Sequence, residues 1–209
     1  MNKIIAIIAT LALSACAQQR AQTPTAYFNE MGLNQPTHYQ IEVCRGYGCQ
    51  YIDTIRLSDN TWDTIKTAFT PPPETPEQER EAIKTVIAEL ETLIGSTNGT
   101  SADVGGTFKK VGDTQLDCVD ESTNTTTYLY ALQTQGLIQF HEILPPAYRI
   151  PIIHSGRWPH QSAQIKDTQN NIIYVVDSWF HDNGKTPEIV PLEEWNKGWR
   201  PPEANSIDE

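Results

Sequence analysis

Apolar residues along this chain follow two different rhythms, and the change from one to the other marks out its elements. Between Trp62 and Ile94 the large apolar side chains recur every three or four positions, the helical period. Trp62, Ile65 and Phe69 predict a short helix closed by Pro71-Pro72-Pro73. Ile83, Val86, Ile87, Leu90 and Ile94 predict a longer one with Thr75 as cap, Pro76 in its first turn, Gln78 completing a capping-box pattern and Gly95 just past its end. Ahead of them, His38 to Val43 and Gln50 to Ile55 are rich in β-branched and aromatic residues and read as the two strands of a hairpin. Residues 96–114 are rich in Gly, Ser, Thr and Asn and read as an exposed connection. A further helix is expected from Cys118 to Gln135, capped by Asp117 and stopped by Gly136. The rest is strand-like: Ile138 to Phe140, Tyr148 to Ile153, Gln161 to Lys166 and Ile172 to Val176, with Asp167 to Asn171 as a turn between the last two. Helices first and antiparallel strands afterwards predict an α+β domain.

The first residues obey a different logic. Lys3 precedes an apolar run from Ile4 to Leu13, and Ser14-Ala15-Cys16 follows, the order of a secretory signal whose apolar part is shorter than the roughly 20 residues a membrane helix needs. Leu13-Ser14-Ala15-Cys16 resembles the bacterial lipobox, which implies cleavage after residue 15 and lipid on Cys16. With Ala17 rather than Asp beside the anchor, the resemblance places the protein on the outer membrane, facing the periplasm. The expected organisation is a signal peptide over 1–15, a lipidated flexible tether over 16–37, one domain over 38–200 and a disordered tail over 201–209.

The chain has 15 basic and 26 acidic residues among its 209, a net charge of −11. This balance argues against nucleic acid as a partner and against adhesion to anionic head groups, both of which reward clustered Lys and Arg. The expected partners are the membrane, reached through the lipid, and a peptide or protein substrate. An exported chain meets an oxidising compartment, so its four cysteines are informative. Cys16 is assigned to lipid. Cys44 and Cys49 flank a Gly-containing turn that brings two strands within bridging range, which predicts a local disulfide; a metal pair is the rival, but no His or further Cys stands nearby. Cys118 is left over, and neither a metal nor a cofactor is expected.

A thiol at a helix start is a nucleophile when a base stands beside it and that base is held in one orientation. Asp117 as cap and Cys118 at the first helical position give this placement, although Asp120 and Glu121 oppose ionisation of the sulfur. His160 opens one predicted strand and Asp177 ends the next, so a tight hairpin brings both to the same end. His154 is the rival base. Gln115 is a candidate oxyanion donor together with the Cys118 backbone N–H.

Asp117-Cys118-Val119-Asp120-Glu121, Trp158-Pro159-His160-Gln161-Ser162-Ala163 and Tyr174-Val175-Val176-Asp177-Ser178-Trp179-Phe180 resemble, in order and spacing, the three blocks of the bacterial transglutaminase-like cysteine peptidases, over residues 110–180. The resemblance implies a papain-type fold, with a nucleophile helix packed on an antiparallel sheet. It also implies a thioester acyl-enzyme formed on peptide or glutamine-type amides, resolved by water or an amine. The sequence departs from many relatives in lacking an aromatic residue or Gly directly beside the cysteine. A reading from another class is an inactive binding or scaffolding lipoprotein, with Trp158, Trp179, Trp195 and Trp199 as an aromatic partner surface.

Overall fold

The computed structural model describes residues 21–108, 112–150 and 159–202; the predicted signal, Cys16, His154, Trp158, strand residues 151–153 and the tail from 203 onward lie outside them. The architecture is α+β. The hairpin forms from β1 (Gln40–Arg45) and β2 (Tyr51–Arg56), antiparallel with Cys44 opposite Ile52. The Cys44–Cys49 disulfide closes the turn between them.

Residues expected to be tether instead contain a helix, α1 (Pro24–Met31), whose Tyr27 and Phe28 are buried. Thr23 caps it by accepting the Ala26 N–H, Pro24 opens it, and Gly32 ends it in the left-handed conformation. The tether expectation missed it because eight residues show barely two turns of periodicity, while the stabilisation comes from two aromatic rings packing beside Leu33 and Cys44.

Helix α2 (Asp59–Thr67) and the long α3 (Pro76–Asn98) follow the predicted periodicity. Gly95 does not end α3, which continues to a left-handed Gly99. A Cβ at Gly95 would meet Asn183 Oδ1 and stand 2.8 Å from the Ser101 backbone nitrogen, so this glycine serves close approach. Residues 96–108, many of them exposed as expected, are nonetheless tied down: after a 3-10 turn at Thr100–Ala102, the segment from Asp103 lies against residues 179–183, with Gly106 N–H donating to the Trp179 carbonyl and Asn183 N–H to that of Asp103.

The central helix, α4 (Cys118–Thr134), matches its predicted span and its Asp117 cap. It packs against both sheets, β1 on one side and β3 to β5 on the other, and it is buried on nearly every face although it runs Ser122-Thr123-Asn124-Thr125-Thr126-Thr127. Those polar groups are satisfied in place. Thr126 and Thr127 donate to the carbonyls of Ser122 and Thr123, and the Asn124 amide bridges the N–H and C=O of Cys44. Short β-branched side chains with satisfied hydroxyls behave as core residues.

The second sheet is an antiparallel meander, β3 (His141–Arg149), β4 (His160–Asp167), β5 (Ile173–Asp177) and β6 (Glu188–Pro191), followed directly by α5 (Leu192–Asn196). Ile138 to Phe140 do not form a strand. Gln139 and Phe140 give their N–H groups to the buried Glu79 carboxylate, which also takes His141 Nδ1, and so have no need of a ladder. Pro145 and Pro146 fall within β3, tolerated because it is the sheet's edge and shifts register between Leu144 and Ala147. Neither β6 nor α5 was expected. Among the described residues no helix is long and apolar enough to cross a membrane.

If α1 belongs to the folded unit, Phe28→Ala should cost about 3–5 kcal/mol of unfolding free energy in a urea titration. An unchanged midpoint would return residues 24–31 to the status of a tether.

Candidate functional site

The first turn of α4 is held from four directions. Asp117 accepts the N–H groups of Val119 and Asp120, and Asp120 reciprocates toward the Asp117 N–H, closing a capping box. Asp120 also reaches out of the helix. Residues 46–49 all have positive φ, and their turn aims the Tyr47 and Cys49 N–H groups at the Asp120 carboxylate, each at 2.7 Å. Glu121 accepts from Ser178 Oγ at 3.0 Å, tying α4 to the residue after Asp177. Asp103 accepts the Leu116 N–H at 2.6 Å and is also bonded by the Gln115 side chain, fixing the approach to the helix.

Cys118 is thereby set at the first helical position, half-buried, as the free cysteine among the described residues. Its side chain packs against the pair Trp179 and Phe180. Burial pushes the thiol up to about 11, and the Asp117 and Asp177 charges push the same way, outweighing the N–H groups of Gln161 and of Cys118 itself. A helix start by itself draws a thiol toward neutrality. Desolvation and crowded carboxylates dominate over the N-terminal dipole here.

His160 and Asp177 meet as their hairpin placement requires. Ala163 pairs with Val176, so Asp177 stands opposite Ser162, and His160 lies two residues further along the same face of β4. His160 Nε2 is 2.9 Å from Asp177 Oδ2, and both side chains are buried. A carboxylate oxygen can only accept, so Nε2 carries the proton and Nδ1 is left as the acceptor. That Nδ1 is buried and has no hydrogen-bond partner among the described residues, the Cys118 thiol included. The imidazole is enclosed by Trp179 at 4.9 Å, Phe180 at 5.5 Å and Trp195 at 5.5 Å between ring centroids. The same Trp179 and Phe180 touch Cys118, so sulfur and imidazole share one aromatic wall.

Gln115 is placed differently from its expected role. Its Nε2 donates to Asp103 and to the Val104 carbonyl, and its Oε1 accepts the Val104 N–H, so both amide protons are spent bracing the segment before the helix. The other described histidines have structural partners: His38 bonds Gln135 and Asp59, His141 bonds Glu79, and His181 bonds Glu188. Trp179 and Trp195 are buried rather than displayed, so they form no exposed aromatic surface. No group of three or more potential metal ligands occurs among the described residues.

Sequence reasoning missed the buried acids behind the site. Burial raises Glu91 to about 8, Asp103 to about 7 and Asp120 to about 6, and it carries Glu121 well above the usual carboxyl range with neighbouring Glu91 and Asp103 adding to the effect. The available signal was Asp120-Glu121 on a helix that also had to be core. An acid that holds its proton longer folded than unfolded stabilises the fold at low pH, and this stabilisation is lost as pH rises from the ordinary carboxyl value through the folded one. The thermal midpoint should therefore fall between pH 4.5 and about 8, the window set by Glu91, and Glu91→Gln should flatten that slope in a calorimetric series.

No protein-family model, no curated protein and no solved structure matches this chain.

Proposed function

We propose that this protein is a lipid-anchored cysteine enzyme of the periplasm that attacks peptide or glutamine-type amides through a thioester, using Cys118 as nucleophile, His160 as base and Asp177 as the group that orients the base. The observation that carries the reading is the His160–Asp177 bond. It commits Nε2, leaving a buried Nδ1 as a proton acceptor beside the wall on which the Cys118 sulfur rests. The start of α4 against an antiparallel sheet is consistent with a papain-type, transglutaminase-like arrangement.

In this mechanism the thiol remains protonated at rest, because its surroundings disfavour the anion. As the substrate carbonyl arrives, the Cys118 proton passes to His160 Nδ1 and the sulfur forms a bond to the carbonyl carbon. The resulting oxyanion is met by the Cys118 backbone N–H, which at a first helical position has no intrahelical acceptor. Collapse of the intermediate breaks the C–N bond, the leaving amine takes the proton from His160, and an acyl-thioester remains. Water or a second amine, deprotonated by the same imidazole, then attacks the thioester and restores the thiol. Asp177 keeps Nε2–H in line throughout and stabilises the imidazolium. Periplasmic proteins and peptidoglycan stem peptides are the candidate substrates at an outer-membrane location.

Alkylation of Cys118 by iodoacetamide at pH 7 should be at least about tenfold slower in His160→Ala than in the wild type, since removing a general base typically costs more than that. Equal rates would end the enzyme reading. For the anchor, Cys16→Ser should abolish incorporation of labelled palmitate and move the protein from the membrane to the soluble fraction. Palmitate retained in that variant would refute the lipobox assignment.

A further inference from the structure

Asp177 receives a second donor from well outside the hairpin. Trp195, in α5, gives its indole Nε1–H to the same Oδ2 that bonds His160, at 2.8 Å. Both side chains are buried, so this bond is made away from water. One carboxylate oxygen thus takes two N–H groups from directions fixed by separate elements, and this allows the carboxylate a single rotamer. Trp195 is itself clamped. The Arg149 guanidinium lies 4.7 Å over its ring, and Arg149 Nη1 donates to its backbone carbonyl at 2.8 Å. Arg149 in turn stands directly opposite His160 in the β3–β4 register. The loop therefore closes on the imidazole from both sides: through Asp177 along the hydrogen bonds, and through Arg149 across the sheet.

We propose that Trp195 is a positioning residue of the site, acting through Asp177 to hold the His160 imidazole in the plane and tautomer that present Nδ1 to the thiol. This inference rests on the cysteine-enzyme reading. It gives α5 a task beyond the packing of Trp195 and Val190 against Ala147 and Val175. It also explains why an aromatic with a polar edge stands here, where Phe would fill the space but leave the carboxylate one donor short.

Trp195→Phe keeps the ring between Arg149 and His160 and removes only the N–H. The readout is the second-order rate constant for Cys118 alkylation by iodoacetamide across pH 6 to 10, measured in Trp195→Phe, Asp177→Asn, His160→Ala and the Trp195→Phe/Asp177→Asn double variant. At pH 7 Trp195→Phe should be slower than wild type by about tenfold. Its profile should approach the plain thiol titration of His160→Ala, and in the Asp177→Asn background the same change should have no further effect. If the double variant falls as far below Asp177→Asn as Trp195→Phe falls below wild type, Trp195 contributes packing alone and the inference is overturned. Slowing in Asp177→Asn and His160→Ala with none in Trp195→Phe overturns this inference but leaves the enzyme reading. Unchanged rates in all variants overturn both. A measurement on the intact tryptophan covers poor folding of Trp195→Phe: with indole nitrogens labelled by 15N, the Trp195 N–H resonance should shift upfield in Asp177→Asn, and an unmoved resonance overturns the bond to the carboxylate.

Discussion

Four acidic side chains meet around the first turn of α4, and the need to satisfy the three buried ones away from water dictates how the neighbouring elements dock. Asp117 turns inward to cap its own helix, Asp120 outward to the disulfide loop, Glu121 across to the end of β5, and Asp103 holds the segment that enters the helix. A buried carboxyl without partners is costly, so the bonds of Asp103, Asp120 and Glu121, all buried, also fix a backbone. The hairpin, the 103–108 segment and the strand end that carries Asp177 all take their positions from one helical turn. Cys118 opens that turn.

The same arrangement sets the electrical character of the sulfur. Helix starts usually favour anions, but the charges of Asp117 and Asp177 here oppose the dipole at the sulfur. The thiol is held up rather than drawn down. Chemistry at Cys118 thus depends on transient transfer of its proton to a neighbour rather than on a standing ion pair, which makes the orientation of His160 decisive. The burial of that imidazole among Trp179, Phe180 and Trp195 suits this demand, because a ring packed on several sides cannot turn away.

Much of the polar interior serves alignment more than cohesion. Asn124 completes the hydrogen bonding of Cys44 in β1, and Glu79 does the same for residues 139 and 140 where no strand partner exists. The apolar core holds the layers together through Ile83, Val86 and Ile87 of α3, Leu129 and Leu132 of α4, and Ile165 of β4. The polar contacts decide how those layers are registered. A helix of threonines in the core gains from this, since Thr123, Thr126 and Thr127 satisfy their hydroxyls on their own helix and Thr125 bonds Ser178, leaving a compact methyl surface for packing.

By itself the sequence determined the features that depend on neighbours a few residues apart. These are the periodic faces of α2 and α3, the Asp117 cap of α4, the short disulfide, and the β4–β5 hairpin whose turn at Asp167 to Asn171 brings His160 to Asp177. Only the tertiary structure decided what depends on residues distant in the chain. Tyr27 and Phe28 make α1 a packed helix because Cys44 and Leu33 complete their pocket. Gly95 is a contact point because Asn183 and Ser101 press on it. Gln115 braces Asp103 and Val104, and Trp195 bonds Asp177 from eighteen residues away. Local pattern registers propensity and period, whereas desolvation and hydrogen-bond satisfaction belong to the assembled interior, so of the thiol's raised pKa and the acids behind it only Asp120-Glu121 showed in the pattern of residues, and burial decided the rest.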